Sequence, residues 1–260
     1  MNVEGPRVGV LDHGYVQLVD SWGSDEAIIR AARMSTQKGF EGWGPVCDEC
    51  RCNTFESGPC EAGGPCPACG TKLRAGDEKL LRYLWKNNHA TPFEMGGVVL
   101  EVQAPIFVFR EWHRHRTQSY NEMSARYAPL PDLNYVPSVE RLMLGGGHLT
   151  KQAGAAAGAE ALNTGQADLF RHMIVRQYED AERVYQAGLG AGIPKELARL
   201  VLPVGRYSRM RASANLRNWL GFLSLRLAPQ AQWEIVQYAQ AVHGFLVGLF
   251  PRTLSLFDER

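Results

Sequence analysis

The sequence predicts a mixed fold of helices and strands, interrupted once by a small cysteine-rich insertion. Three observations carry that prediction. Apolar residues recur at helical spacing in several stretches, shorter runs alternate or are continuously apolar as strands are, and all six cysteines fall between Cys47 and Cys69. At 260 residues the chain is long enough for one large domain or two small ones with a substantial core.

The first predicted strand is Tyr15 to Asp20, where Val16, Leu18 and Val19 are set against Gln17 and Asp20. A helix follows, capped by Ser24 or Asp25, with Ala27, Ile28, Ala31 and Ala32 as its apolar face. From Phe40 to Gly76 the texture changes to Gly, Pro and Cys. Cys47-x-x-Cys50 and Cys66-x-x-Cys69 stand fifteen residues apart there. Two such pairs put four thiolates at the corners of a tetrahedron, and Cys66-Pro-Ala-Cys69-Gly resembles a zinc-ribbon knuckle, so a closed structural zinc site on Cys47, Cys50, Cys66 and Cys69 is expected. Cys52 and Cys60 are left as spare thiols, a replacement within the first pair, or a redox pair.

Asp77 is expected to cap a helix from Glu78 to about Asn87, with Leu80, Leu81, Leu84 and Trp85 on its core face. A turn over 88–94 leads to a strand, Val98 to Val102, apolar enough for burial on both faces. Pro105 opens the next helix, buried by Ile106, Phe107 and Phe109, and the polar pairs Arg110/Arg114 and Glu111/His115 sit four apart toward its end. Residues 145–165 are rich in Gly and Ala and read as a surface loop. Asp168 to about Ala187 is an amphipathic helix through Met173, Ile174, Tyr178, Ala181, Val184 and Tyr185. A short helix, Lys195 to Leu202, lies between Pro194 and Pro203, and a last helix runs from Gln230 to Leu249.

Lysine and arginine total 28 against 27 acidic residues, so no overall charge points to nucleic acid or an anionic membrane. Functional charge has to be local. No apolar run approaches the ~20 residues that span a bilayer, and the N-terminus lacks a signal pattern, so a cytoplasmic protein is expected.

Local charge is concentrated in two places. Arg114 to Tyr127 holds three arginines, a histidine, two serines, an asparagine and a glutamate within fourteen residues, a mix suited to an anionic ligand. Leu197 to Trp233 carries Arg199, Arg206, Arg209, Arg211, Arg217 and Arg226 with no lysine and no acid. It reads as a second phosphate surface. Nucleic-acid binding competes, but the neutral total charge and few stacking residues oppose it, and two or three of these arginines are expected to pair with acids elsewhere. His113 and His115 diverge on a helix and lack a carboxylate at ligand spacing, which disfavours a metal there.

The pattern Arg-His-Arg-x-x-Ser-x-x-Glu-x-Ser-x-Arg-Tyr over 114–127 resembles the signature of the flavin-dependent thymidylate synthases. The resemblance extends to His89-Ala-Thr91-Pro-Phe-Glu94, to Pro194 through Pro203, to Asn215-Leu-Arg217, and to Phe222-Leu-Ser-Leu-Arg226. It implies an α/β fold of the α+β type, a mostly antiparallel sheet covered by helices. It implies one domain over 1–260 with the cysteine-rich insertion at 41–76, assembled as a homotetramer. The implied activity is conversion of dUMP to dTMP, with methylenetetrahydrofolate as one-carbon donor, FAD as cofactor and NADPH as reductant. By the same resemblance Glu111, Arg114, Glu122, Ser124, Ala125, Arg126, Arg199 and Arg226 hold dUMP. Arg226 stabilises negative charge on the uracil ring in place of covalent attack by a cysteine. Thr91, Arg114, His115, Arg116, Glu122, Asn215, Arg217 and Gly221 hold FAD, and His89 lies near flavin and folate. Glu111 stands where the family often has glutamine, and Gly221 where an asparagine often contacts FAD. The competing readings are a flavin-dependent uracil methylase acting on RNA and a zinc-ribbon nucleic-acid module on a degenerate scaffold.

Overall fold

The computed structural model describes residues 5–50, 62–144 and 162–259. Cys52, Cys60 and residues 145–161 of the Gly/Ala-rich stretch lie outside them. The fold is α+β, built on a five-stranded antiparallel sheet of β1 (Arg7–Val10), β2 (Gly14–Trp22), β3 (Gly97–Pro105), β4 (Ser119–Glu122) and β5 (Tyr207–Asn215), ordered β1-β2-β3-β5-β4. The chain divides into two compact units. One comprises Met1–Asp20, Val99–Ala214 and Gly221–His243; the other comprises Ser21–Val98, Asn215–Leu220 and Gly244–Arg260.

In the first unit β1 and β2 form a hairpin pairing Arg7 with Gln17 and Val10 with Gly14. Gly14 has to be glycine, because a Cβ there would fall 2.0 Å from the Tyr238 hydroxyl and 2.8 Å from the Gln103 carbonyl. β3 is not buried on both faces. Its Val98, Leu100, Val102 and Ala104 are buried while Val99, Glu101 and Gln103 are half-buried, the alternation of a sheet with one face to the core. β4 pairs antiparallel with β5, Ser119 opposite Ser213 and Glu122 opposite Met210. The sequence reading placed no strand over β1, β4 or β5.

Helix α3 is Ile106–Trp112, and Pro105 stands before it as an extended residue rather than inside its first turn. Val108, Phe109 and Trp112 bury it; Ile106 and Phe107 are only half-buried. The Trp112 ring lies 4.6 Å from that of Phe222, and its indole N–H donates to Gln118 at 3.1 Å. After the short helix α4 (Val139–Leu144), the long helix α5 (Thr164–Gly190) starts earlier than expected because Asn163 and Gln166 form a reciprocal capping box. It buries Ala181 and Tyr185, but Met173 and Val184 are exposed. The short helix after Pro194 is α6 (Lys195–Ala198), tightening into a 3₁₀ turn over Arg199–Val201.

In the second unit Ser24 caps α1 (Asp25–Arg33), its hydroxyl accepting from the Ala27 N–H at 3.3 Å. Asp25 turns elsewhere. Its buried carboxylate accepts from the backbone N–H groups of Arg252 at 2.8 Å and Thr253 at 3.1 Å, satisfying the start of the helix over Pro251–Asp258. Asp77 likewise is not a cap. It is the first residue of α2 (Asp77–Lys86), Gly76 is the cap, and the buried Asp77 carboxylate accepts from Arg33 at 2.8 Å and from the backbone of Glu41 at 2.7 Å. A side chain at Gly76 would lie 1.8 Å from the Gly44 carbonyl, so the insertion docks where only glycine fits. Helices α7 (Leu216–Arg226) and α8 (Trp233–Leu249) each have residues in both units; α8 buries Ile235, Ala239, Val242 and Leu246, while Leu249 at its end is only half-buried.

Candidate functional site

In the first unit, α3 runs out into the loop that carries the arginine-rich signature. The Tyr120 hydroxyl donates toward the carbonyls of His115 at 2.7 Å and Trp112 at 3.2 Å, which also accept from the backbone N–H groups of Gln118 and His115. Burial pushes the Tyr120 phenol up to about 12, with Arg226 opposing, so it remains a donor. After β4 the chain turns tightly: the Ser124 hydroxyl accepts from the Arg126 N–H at 3.3 Å and the Ser124 carbonyl from the Tyr127 N–H at 3.1 Å.

These elements enclose a cleft of about 380 Å³ lined by Glu122, Ser124, Ala125 and Arg199 among the expected residues. Arg110, His113 and Ser208 line it too, and the sequence reading gave none of them a ligand role. Among the described residues, Arg110 and Arg199 have no carboxylate partner, so both guanidinium groups remain available to an anion. Glu111, Arg114, Arg126 and Arg226 do not line this cleft. Arg126 pairs with Glu196 at 3.3 Å on the exposed surface.

Arg226 belongs to a second cluster in the same unit. Its Nη1 donates to Oε2 of Glu111 at 2.7 Å, its Nη2 to the Glu111 carbonyl at 2.7 Å, and its Nε to Nε2 of His115 at 2.8 Å. His115 must therefore be neutral, with Nε2 unprotonated. Burial, then the Arg226 charge, lower its pKa to about 4 against a smaller opposing pull from Glu111. The Phe222 ring lies edge-on to His115 at 4.9 Å.

The expected FAD residues divide between the units. Arg114, His115, Arg116, Glu122 and Gly221 belong to the first, Thr91, Asn215 and Arg217 to the second. In the second unit Asn215 accepts from the Asn218 N–H at 3.0 Å at the start of α7, and Arg217 pairs with Glu94 at 2.5 Å. Thr91 opens a 3₁₀ turn, and the exposed His89 ring stands edge-on to Tyr83 at 5.5 Å. At Gly221 a Cβ would meet nothing within 4 Å, so no backbone crowding demands a glycine there.

Also in the second unit, Cys47, Cys50, Cys66 and Cys69 converge, with all four sulfurs within 4.8 Å of one another. Separations are 3.4 Å for Cys47 and Cys69, 3.6 Å for Cys50 and Cys66, and 3.8 Å for Cys50 and Cys69. Four Zn–S bonds of about 2.3 Å at tetrahedral angles require sulfurs about 3.8 Å apart, so the donor set fits zinc. The Cys50 backbone N–H holds the Cys47 thiol below its ordinary pKa, as a thiolate ligand needs. Gly70, at φ +77°, makes the turn that returns Thr71 to Cys66, whose N–H donates to the Thr71 carbonyl at 2.7 Å. Arg33, Glu41, Arg74 and Asp48 tie this lobe to α1, with Arg33–Glu41 at 2.6 Å, Arg74–Glu41 at 2.7 Å and Arg74–Asp48 at 2.5 Å. It is the one metal-competent group among the described residues; His113 and His115 form none.

More of the arginine-rich stretch pairs with acids than expected. Arg206 is fully buried against Asp132 at 2.7 Å and Glu182 at 2.8 Å, a structural role, and Arg211, Arg217 and Arg226 pair with Glu101, Glu94 and Glu111.

With this fold and cleft the chain is an enzyme, and comparison with known proteins gives its class as a methyltransferase. A solved UMP/dUMP methylase from Streptomyces cacaoi, bound with 5-Br UMP, matches it with a TM-score of 0.72 at 32% identity, covering 97% of this chain and 96% of that one. The family model described as thymidylate synthase complementing protein matches residues 17–252. A flavin-dependent thymidylate synthase of Thermus thermophilus is 36% identical over 260 residues, 99% of this chain and 80% of that protein. One from Thermosipho africanus is 34% identical over 248 residues, covering 95% and 92%. The chain belongs to the flavin-dependent thymidylate synthase family.

Proposed function

We propose that the chain methylates dUMP to dTMP, with methylenetetrahydrofolate giving the one-carbon unit and NADPH the reducing equivalents through FAD. One observation carries this reading: the cleft that gathers Glu122, Ser124, Ala125 and the unpartnered Arg199 on one unit. Arginine supplies fixed positive charge for a phosphate, the serine hydroxyl a neutral hydrogen bond, and Glu122 an acceptor for a sugar or base N–H or O–H. Arg114 and Arg126 complete the dUMP set from outside the cleft lining, and Glu111 belongs to it by holding Arg226 rather than by touching the phosphate.

Arg226 acts on the pyrimidine. Its remaining N–H groups stabilise negative charge on the ring, and because the guanidinium is already held by Glu111 and His115 little reorganisation is needed. No cysteine is assigned a role, since all six lie in the insertion. FAD, held by Thr91, Arg114, His115, Arg116, Glu122, Asn215, Arg217 and the Gly221 position, supplies hydride chemistry when bound. His89 is placed near flavin and folate. Zinc on Cys47, Cys50, Cys66 and Cys69 is structural, because four thiolates leave no open position. The match over 17–252 supports reading the chain as one functional domain containing the 41–76 insertion. We assign a homotetramer, for which exposed Leu169, Phe170, Met173, Leu197 and Leu200 are available apolar surface. No helix among the described residues is long and apolar enough to cross a membrane, and we assign the cytoplasm.

The test is dTMP formation from dUMP with methylenetetrahydrofolate, FAD and NADPH all present, with UMP run in parallel. Product that depends on each component supports the reading; no product from dUMP under any combination rejects it.

A further inference from the structure

We propose that Ser208 and Arg110 are nucleotide-holding residues of the cleft, the Ser208 hydroxyl donating to the phosphate of a bound nucleoside monophosphate; this rests on the functional reading above. Ser208 is 1% exposed, it lines the cleft, and its buried Oγ has no hydrogen-bond partner among the described residues. Buried hydroxyls are nearly always paired, because removing one from water without a replacement is costly. Its place in β5 makes the hydroxyl harder to explain by packing alone. Alternation along the strand puts Ser208, Met210, Ala212 and Ala214 on one buried face while Arg209 and Arg211 point outward. In that apolar row an alanine would pack without an unpaired polar atom. A ligand atom in the cleft supplies the missing partner.

The chemistry of the cleft selects the partner. Among the described residues Arg110 and Arg199 have no carboxylate partner, and a serine hydroxyl adds a neutral donor, so the matching ligand group is an oxyanion. Glu122 lines the same cleft and disfavours an anion at its own end, where it accepts from an N–H or O–H. A nucleoside monophosphate carries both kinds of group; inorganic phosphate carries no base or sugar donor. Arg110 stands in the last turn of α3, one residue before Glu111, so the same rigid helix positions both.

The experiment measures binding of dUMP and of deoxyuridine to the full chain by ligand-observed NMR titration, for the parent, Ser208→Ala and Arg110→Gln. Ser208→Ala should melt at or above the parent temperature, since it removes an unpaired buried hydroxyl. Its dUMP Kd should rise about tenfold or more, as expected for losing a hydrogen bond to a charged group, and its deoxyuridine Kd should not change. Arg110→Gln should show the same selective loss. An unchanged dUMP Kd in a folded Ser208→Ala protein overturns the proposal, and so does an equal loss for dUMP and deoxyuridine. A parent chain that binds no dUMP overturns the functional reading itself, so the two failures are separate.

Discussion

Arg226 donates from Nε to Nε2 of His115 across 2.8 Å, although the two residues are 111 positions apart in the chain. The bond fixes the histidine as a neutral acceptor and the guanidinium in one plane. Glu111 then takes the other two nitrogens, one through its carboxylate and one through its backbone carbonyl. A cation held from three sides is preorganised for charge that develops beside it.

Replacing Arg226 with alanine should lower dTMP formation by about a hundredfold or more, the scale for losing a preorganised electrostatic donor. Folding should be nearly unaffected, because Glu111 is 42% exposed and can be hydrated once its partner is gone. Turnover and thermal melting on the same preparation decide the matter. Turnover close to the parent's would remove Arg226 from the mechanism.

Glu111→Gln keeps the backbone carbonyl contact and a side-chain acceptor for Arg226 but removes a negative charge. That charge opposes any phosphorylated ligand nearby, and being half-exposed it is partly screened, worth roughly 0.5–1 kcal/mol. The variant should therefore bind dUMP about two- to fivefold more tightly by isothermal titration calorimetry. Weaker binding would mean that the carboxylate contacts the nucleotide directly.

The lowered pKa of His115 sets a pH dependence. Its folded value of about 4 lies below the ordinary histidine value of 6.5, so the folded state binds fewer protons than the unfolded state between those pH values. The stability this contributes is complete above about pH 6.5 and is lost as pH falls toward 4. The parent should lose melting temperature over that window. His115→Gln, which retains an acceptor but does not titrate, should lose less. Identical pH profiles would show that burial and the Arg226 charge, which act against the opposing pull of Glu111, do not hold His115 neutral.

The helices were readable where packing follows period 3.6. Ile28 on α1, Leu81 and Leu84 on α2, and Ile235, Val242 and Leu246 on α8 are all buried as the spacing demands. β5 was not readable because its outward residues are Arg209 and Arg211. Their charge dominates the local pattern, while the alternating Met210 and Ala212 that mark the strand are modest in size. Local signals also failed where a partner distant in sequence competed for a side chain. Asp25 and Asp77 both sit at helix starts, yet one serves the backbone of Arg252 and Thr253 and the other serves Arg33 and the insertion. The cysteine pairs needed no such context, since the two x-x spacings alone bring four sulfurs together. Glu122, Ser124 and Ala125, which the signature singles out, do line one cleft, whereas Ser208 beside them carried no local sign, since a single serine in a strand resembles any other.

Zinc should be present at one equivalent per chain by elemental analysis, and Cys66→Ser should abolish it. Cys47 and Cys66 are buried with Leu73 in a small apolar cluster of their own, too little to hold the lobe without a cross-link. Removing the metal with a chelator should therefore increase hydrogen exchange across the insertion. The effect should reach α1 through Arg33, which bridges Glu41 of the insertion and Asp77 at the start of α2. Exchange that is unchanged by chelation, in protein shown to have lost its zinc, would mean that the ion-pair network and not the metal holds the lobe in place.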